Sequence, residues 1–168
     1  MTNIDVLVSE VGPRDGLQSI DTIMSTEDKK RWIKAEAEAG VREIEVGSFV
    51  PAKLLPQMAD TGEIVRYAKT LPGLTVTALV PNFFGAKNAI EAGVDKMCLP
   101  LSVSETHSQS NLRKSHSEVL KEVGSIVQYI NSLEEAKDLN LKAIYPPHLD
   151  APWKDLLLKK LCSRLEFN

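Results

Sequence analysis

The chain predicts an α/β fold in which short parallel strands alternate with helices. Three observations carry this reading. Apolar runs of strand length recur between amphipathic stretches from Ile4 to Ile144. Helix start and stop residues punctuate them: Ser25 or Thr26 and then Gly40, Gly93, and Ser115 paired with Glu118. The 168 residues suffice for one domain with a sizeable core. Repeated strand–helix–strand units need crossover connections, and these build a parallel sheet.

Taken in order, Ile4 to Glu10 reads as the first strand. A helix follows from Glu27 to Ala39 and stops at Gly40. Glu43 to Val46 is a short strand, and a long connection from Gly47 to Asp60 leads to a helix over Thr61 to Thr70. Leu74 to Val80, rich in Val, Leu and Thr, is the third strand. A helix from Ala86 to Ala92 ends at Gly93. Lys96 to Leu101 is the fourth strand, with a polar loop from Ser102 to Ser115 after it. Ser115 and Glu118 then form a capping box for a helix over His116 to Ala136. Its residues Val119, Leu120, Val123, Ile126, Val127 and Ile130 recur at helical spacing and read as core. Leu141 to Ile144 begins a fifth strand.

Composition excludes several functions. The net charge of −3 gives no basic footprint for nucleic acid. No apolar run approaches the length of a membrane span. No basic N-terminus precedes an apolar stretch, so no secretory leader is predicted and a cytoplasmic location is expected. Cys98 and Cys162 have neither metal-site nor redox spacing.

The chemistry concentrates in Ser9-Glu10-Val11-Gly12-Pro13-Arg14-Asp15-Gly16-Leu17-Gln18. Gly12, Pro13 and Gly16 supply a turn directly after the first strand. A carboxylate fixed there, Asp15, is a candidate ligand for a hard cation. The adjacent Arg14 guanidinium can hold and polarise a carbonyl or carboxylate oxygen. Glu45 near the end of the second strand, Ser48 just beyond it and Asn82 after the third all fall at strand C-termini. The stretch Ser104-Glu105-Thr106-His107 follows the fourth. Glu45 also fits a strand-end ion pair with Arg42 or another cation. His107 and His116 read as surface residues, and Arg113, Lys114 and Lys121 as an exposed charged face, with phosphate contact the alternative.

The run Glu10 to Gln18 resembles the signature of hydroxymethylglutaryl-CoA lyases, in the DRE-TIM metallolyase superfamily. The resemblance continues at Glu43-Ile44-Glu45-Val46-Gly47-Ser48-Phe49-Val50-Pro51, at Ala78-Leu79-Val80-Pro81-Asn82 and at Ser102 to His107, in the family's order, from Val6 to Ala143. Ile20 and Gly47 stand where many relatives carry other residues. The resemblance implies a (β/α)₈ TIM barrel. It also implies cleavage of 3-hydroxy-3-methylglutaryl-CoA to acetyl-CoA and acetoacetate, a step of leucine degradation. It further implies an acyl-CoA substrate and a divalent cation, Mg²⁺ or Mn²⁺. By the same resemblance Asp15 is a metal ligand and Arg14 steadies the developing enolate. Glu45 assists proton transfer, and Arg14, Gln18 and Ser48 contact substrate. A related acyl-CoA lyase or synthase, or a non-catalytic half barrel acting through self-association, are the alternatives.

A typical barrel takes about 250 residues and eight strands. Residues 1–143 hold four strand–helix units and the start of a fifth, so an incomplete barrel is expected, with two open edges and the inward face of each strand exposed. Such a chain is expected to self-associate or aggregate through those edges. The family's His-x-His pair and glycine-rich Cys loop are not in this sequence. The chain alone is therefore expected to be inactive. From Ile144 the resemblance stops at Tyr145-Pro146-Pro147-His148. One base added after the first two of the Ala143 codon allows the reading Ala-Tyr-Ile-Ser-Thr-Ala-Phe-Gly-Cys, which resumes the family pattern. Residues 144–168 are thus expected to be a frameshifted tail.

Overall fold

A computed structural model describes residues 6–102, 104–136 and 139–144. The order is β1 (Ser9–Glu10), α1 (Thr26–Glu38), β2 (Glu43–Ser48), α2 (Thr61–Ala68), β3 (Thr75–Leu79), α3 (Phe83–Ala92), β4 (Lys96–Pro100), α4 (Glu105–Leu112), α5 (His116–Asn131) and β5 (Asn140–Ile144). The five strands form one all-parallel sheet in sequence order, as the alternating pattern predicts. Among the described residues, β1 and β5 are its edges, each paired on one side.

The helices begin where local chemistry satisfies their first N–H groups. Ser25 caps α1 by accepting from the Asp28 N–H, and Asn82 caps α3 by accepting from Gly85. Ser115 and Glu118 form both halves of the predicted capping box on α5. Gly93 closes α3 at φ 87°, a left-handed conformation that costs glycine nothing.

Side chains of paired residues in a parallel sheet share a face, so register sorts them. Ile44, Val76, Ala78, Met97 and Leu141 lie together and pack under the helices. Their helical partners are Ile33 of α1, Ile64, Val65 and Ala68 of α2, Ala86 and Ala89 of α3, and Val119, Val123, Ile126 and Ile130 of α5. The opposite, inward face carries Glu43, Glu45, Thr75, Thr77, Lys96, Cys98 and Lys142. The sheet therefore has an apolar side under the helices and a polar, charged side within.

Four expectations are corrected. The first strand is only Ser9–Glu10. Val6, Leu7 and Val8 are exposed outside it, and Ile4 lies outside the described residues. The span Ser102 to Ser115 is not a loop throughout but contains α4. Ser104 caps that helix through the His107 N–H, and Glu105 favours its first turn; its nearly all-polar surface carries no apolar period to read. The helix after Ser115 ends at Asn131, and a separate short turn covers Glu134–Ala136. Finally, Glu43, Glu45, Thr77 and Cys98 on the inward face are buried rather than exposed, because neighbouring long side chains fold across them. The expected frameshifted tail, apart from Ile144 in β5, lies outside the described residues.

The lower inward layer is an ion cluster. Glu43 is 1 % exposed and pairs with Lys96 Nζ across the sheet, while Lys142 Nζ lies 3.5 Å from its other oxygen. Burial pushes the Glu43 carboxyl up, but Lys96, then Ser9, then Lys142 outweigh it and hold the carboxyl below its ordinary 4.5. Because the folded value lies below the unfolded one, this contribution is fully present above pH 4.5. It is lost as pH falls through the depressed value. Glu43→Gln is expected to lower unfolding free energy at pH 7 by about 1–2 kcal/mol, since Lys96 and Lys142 lose their carboxylate but, being partly exposed, keep some hydration. Urea titrations across pH check both parts: the variant should lose less stability than wild type on acidification.

Candidate active site

The turn after β1 is shaped by backbone and packing before any chemistry is added. Gly12 to Gly16 form one wide helical turn with Pro13 near its start, and the Arg14 and Asp15 N–H groups both donate to the Val11 carbonyl, at 3.1 and 2.7 Å. Glu10 Oε1 accepts the Gly12 N–H at 2.6 Å. A Cβ on Gly12 would meet that oxygen at 2.7 Å and the Trp32 ring at 3.0 Å, so a side chain there would displace the Glu10 carboxylate from the Gly12 N–H and press on the ring. Trp32 in turn donates through Nε1 to Glu36 at 2.9 Å. Helix α1 thus backs the turn that presents Arg14.

Arg14 is 8 % exposed and Glu45 2 %. Arg14 Nε donates to Glu45 Oε1 at 2.7 Å, and its Nη1 to Asp15 Oδ1 at 2.6 Å. Gln18 Nε2 donates to the same Asp15 oxygen at 3.4 Å. Four of the five residues singled out from the sequence, Arg14, Asp15, Gln18 and Glu45, therefore meet at the C-terminal ends of β1 and β2. The partner of Glu45 is Arg14 rather than Arg42. Asp15 is the open member, its side chain 57 % exposed.

Ser48 ends β2 in the same layer but outside this hydrogen-bond set. It is 1 % exposed, and its Oγ accepts from the Val50 N–H at 3.3 Å. Asn82 is a helix cap. His107 is exposed, its Nδ1 2.6 Å from Ser102 Oγ. His116 is half-buried rather than a surface residue, with Nδ1 2.9 Å from Glu105. Lys114 pairs with Glu122 instead of standing free in a charged face.

Sequence reading assigned no role to Glu10, Trp32, Glu43, Lys96 or Thr61. The signal for Glu43 was present: two acids alternating with Ile44 and Val46 in a strand mark a polar inward face. The roles of the others depend on packing between segments far apart in the chain.

As a cation site the cluster supplies one carboxylate, Asp15. Among the described residues no group of three or more His, Cys, Asp or Glu side chains could hold a metal ion. A hard divalent cation takes six or more oxygen ligands, so these residues do not complete a site for it. Cys98, on β4, is buried; burial, then Glu45, pushes its thiol up to about 12.

A parallel sheet in sequence order under helices, with a charged cluster at the strands' C-terminal ends, is the arrangement of part of a (β/α) barrel. The family model HMGL-like matches residues 5–145, and the chain belongs to that family. It is 41 % identical over 129 residues to the hydroxymethylglutaryl-CoA lyase YngG of Bacillus subtilis, covering 75 % of this chain and 43 % of that one. The crystal structure of the B. subtilis HMG-CoA lyase superposes with a TM-score of 0.79 at 32 % identity, over 98 % of this chain and 56 % of the other. An HMG-CoA lyase from Acinetobacter baumannii, in complex with coenzyme A and 3-methylmalate, gives 0.81 at 28 % identity, over 98 % and 55 %. The chain therefore spans about half the length of the relatives it matches.

With its thiol pushed to about 12, Cys98 is expected to resist a disulfide reagent at pH 8 in the folded chain and to react on unfolding. Thiol titration of the Cys162→Ser variant, with and without denaturant, checks this.

Proposed function

We propose that this chain carries the N-terminal half of an active site that cleaves 3-hydroxy-3-methylglutaryl-CoA to acetyl-CoA and acetoacetate. The observation that carries the reading is the Arg14 guanidinium, buried between Glu45 at 2.7 Å and Asp15 at 2.6 Å at the ends of adjacent parallel strands. In that cleavage the tertiary hydroxyl loses a proton and becomes the ketone of acetoacetate. The electrons of the broken carbon–carbon bond move onto the thioester, and the resulting enolate is protonated at carbon.

Arg14 is suited to the enolate oxygen. It has five N–H donors in a fixed fork, and the two contacts to Glu45 and Asp15 use two of them. A fixed cation in a buried site stabilises charge that develops late without having to reorganise. Glu45 is the group that carries a proton between substrate atoms. Gln18 orients Asp15 and contacts substrate beside it, and Ser48 lies one step further along β2. Asp15 would supply one ligand to a divalent cation, Mg²⁺ or Mn²⁺, and the other ligands would come from outside the described residues. Lacking them, the chain alone is inactive. A cytoplasmic location and a frameshift at the Ala143 codon belong to the same reading. Resequencing the coding DNA across that codon tests the frameshift.

The activity itself is tested with a chimera in which residues 6–144 of this chain replace the corresponding segment of the B. subtilis lyase. The chimera is expected to release acetoacetate from 3-hydroxy-3-methylglutaryl-CoA. Arg14→Gln is expected to lower kcat by roughly 10²–10³, the usual cost of one oxyanion donor. A folded chimera with no cleavage of this substrate sinks the proposal.

A further inference from the structure

The end of β2 is not regular. Glu45 pairs with Thr77, and Ser48 pairs with Leu79, so three steps along β2 match two along β3. One extra residue is inserted, a β-bulge at Val46–Gly47. Its consequence follows from parity. Glu45, Thr77, Leu79 and Cys98 share the inward face. In an unbroken strand Ser48, three residues beyond Glu45, would face the helices. The bulge puts it opposite Leu79 instead, on the face that holds Arg14 and Glu45.

The bulge has an identifiable cause. Thr61, the first residue of α2, is 3 % exposed. Its Oγ1 accepts the Ser48 N–H at 3.1 Å and lies 3.0 Å from the Ser48 carbonyl and 2.8 Å from that of Met58, so its proton has two acceptors in reach. The hydroxyl accepts the Ser48 N–H and shares its one proton between the Ser48 and Met58 carbonyls. The approach is so close that a Cβ on Gly47 would meet Thr61 Oγ1 at 2.5 Å and Cγ2 at 2.8 Å. Beyond the bulge the strand resumes, with the Phe49 N–H donating to Leu79 O at 2.8 Å.

We propose that Gly47 and Thr61 are a matched pair of positioning residues that aims the Ser48 hydroxyl into the candidate active site. Ser48 Oγ accepts from Val50, which leaves its own proton to donate to an oxygen of a bound acyl group. The substrate part of this inference rests on the proposed function; the aiming device does not.

The test uses the full chain with Thr61→Val, Thr61→Ser, Gly47→Ala, and Gly47→Ala combined with Thr61→Ala. Amide hydrogen exchange is read at Ser48, with Val80, which donates to Cys98 O at 2.9 Å, as an internal control. Thr61→Val keeps the volume and removes the hydroxyl. It is expected to speed Ser48 exchange at least tenfold with Val80 unchanged, and Thr61→Ser to restore the wild-type rate. Gly47→Ala is expected to lower Tm, and to lower it less in the Thr61→Ala background, where Oγ1 and Cγ2 are gone. Unchanged Ser48 exchange in Thr61→Val, or additive effects of Gly47→Ala and Thr61→Ala, overturns the pair. In the chimera, Thr61→Val is expected to raise KM for 3-hydroxy-3-methylglutaryl-CoA, with Thr61→Ser rescuing it. A chimera inactive with every residue at position 61, alongside the predicted exchange pattern, refutes the proposed function and leaves the aiming device standing.

Discussion

A carboxylate on a sheet face that is 2 % exposed cannot stand alone, and the site depends on how Glu45 is compensated. An isolated buried charge loses several kcal/mol of hydration, and only a well-placed partner with hydrogen bonds offsets that. Arg14 is that partner. Its position goes with the turn at Gly12 to Gly16, which the Glu10 contact ties down and the Trp32 ring backs. Sequence features from Glu10 to Trp32 are thus tied to one hydrogen bond 31 residues long in chain separation.

The same logic repeats below it. Glu43 lies two residues before Glu45 on the same face and is compensated by Lys96 and Lys142 from strands two and three places away. A slip of one residue would turn the apolar side chains that lie under the helices to the inner face, so the alternation along the strands sets the register, and the pairing of Glu43 with β4 and β5 adds to it. That register sets where the upper layer, Arg14 and Glu45, stands. Stability and site geometry are therefore two readings of one charged face.

Much of this was legible in the sequence, and the parts that were not share a cause. The strand–helix alternation, the capping box at Ser115 and Glu118 and the stop at Gly93 are local signals, and each appears in the structure where it was expected. The gathering of Arg14, Asp15, Gln18 and Glu45 followed from their common place at strand ends. The partner of Glu45 was ambiguous because Arg42 is near in sequence while Arg14 is near only after β1 and β2 pair. Helix α4 was hidden because its surface is polar nearly all round and shows no apolar period. The bulge was hidden for a stronger reason. It arises where an oxygen of α2 meets the backbone of β2; Gly47 within the strand is its one local sign, and the Thr61 contact exists only once the two segments pack.

The bulge couples two positions. Gly47 lies inside the segment that delivers Ser48, and a side chain there is incompatible with Thr61 as placed, so a larger residue at 47 calls for a smaller one at 61 or a different approach of α2. The two positions form a unit of variation, and a change at one is constrained by the other. The charged layer has no such freedom. Removing Arg14 leaves Glu45 buried without its cation, and removing Glu45 leaves Arg14 with the exposed Asp15 alone. Changes at Gly47 and Thr61 act instead on the backbone that carries one hydroxyl, and they cost least when the two positions change together.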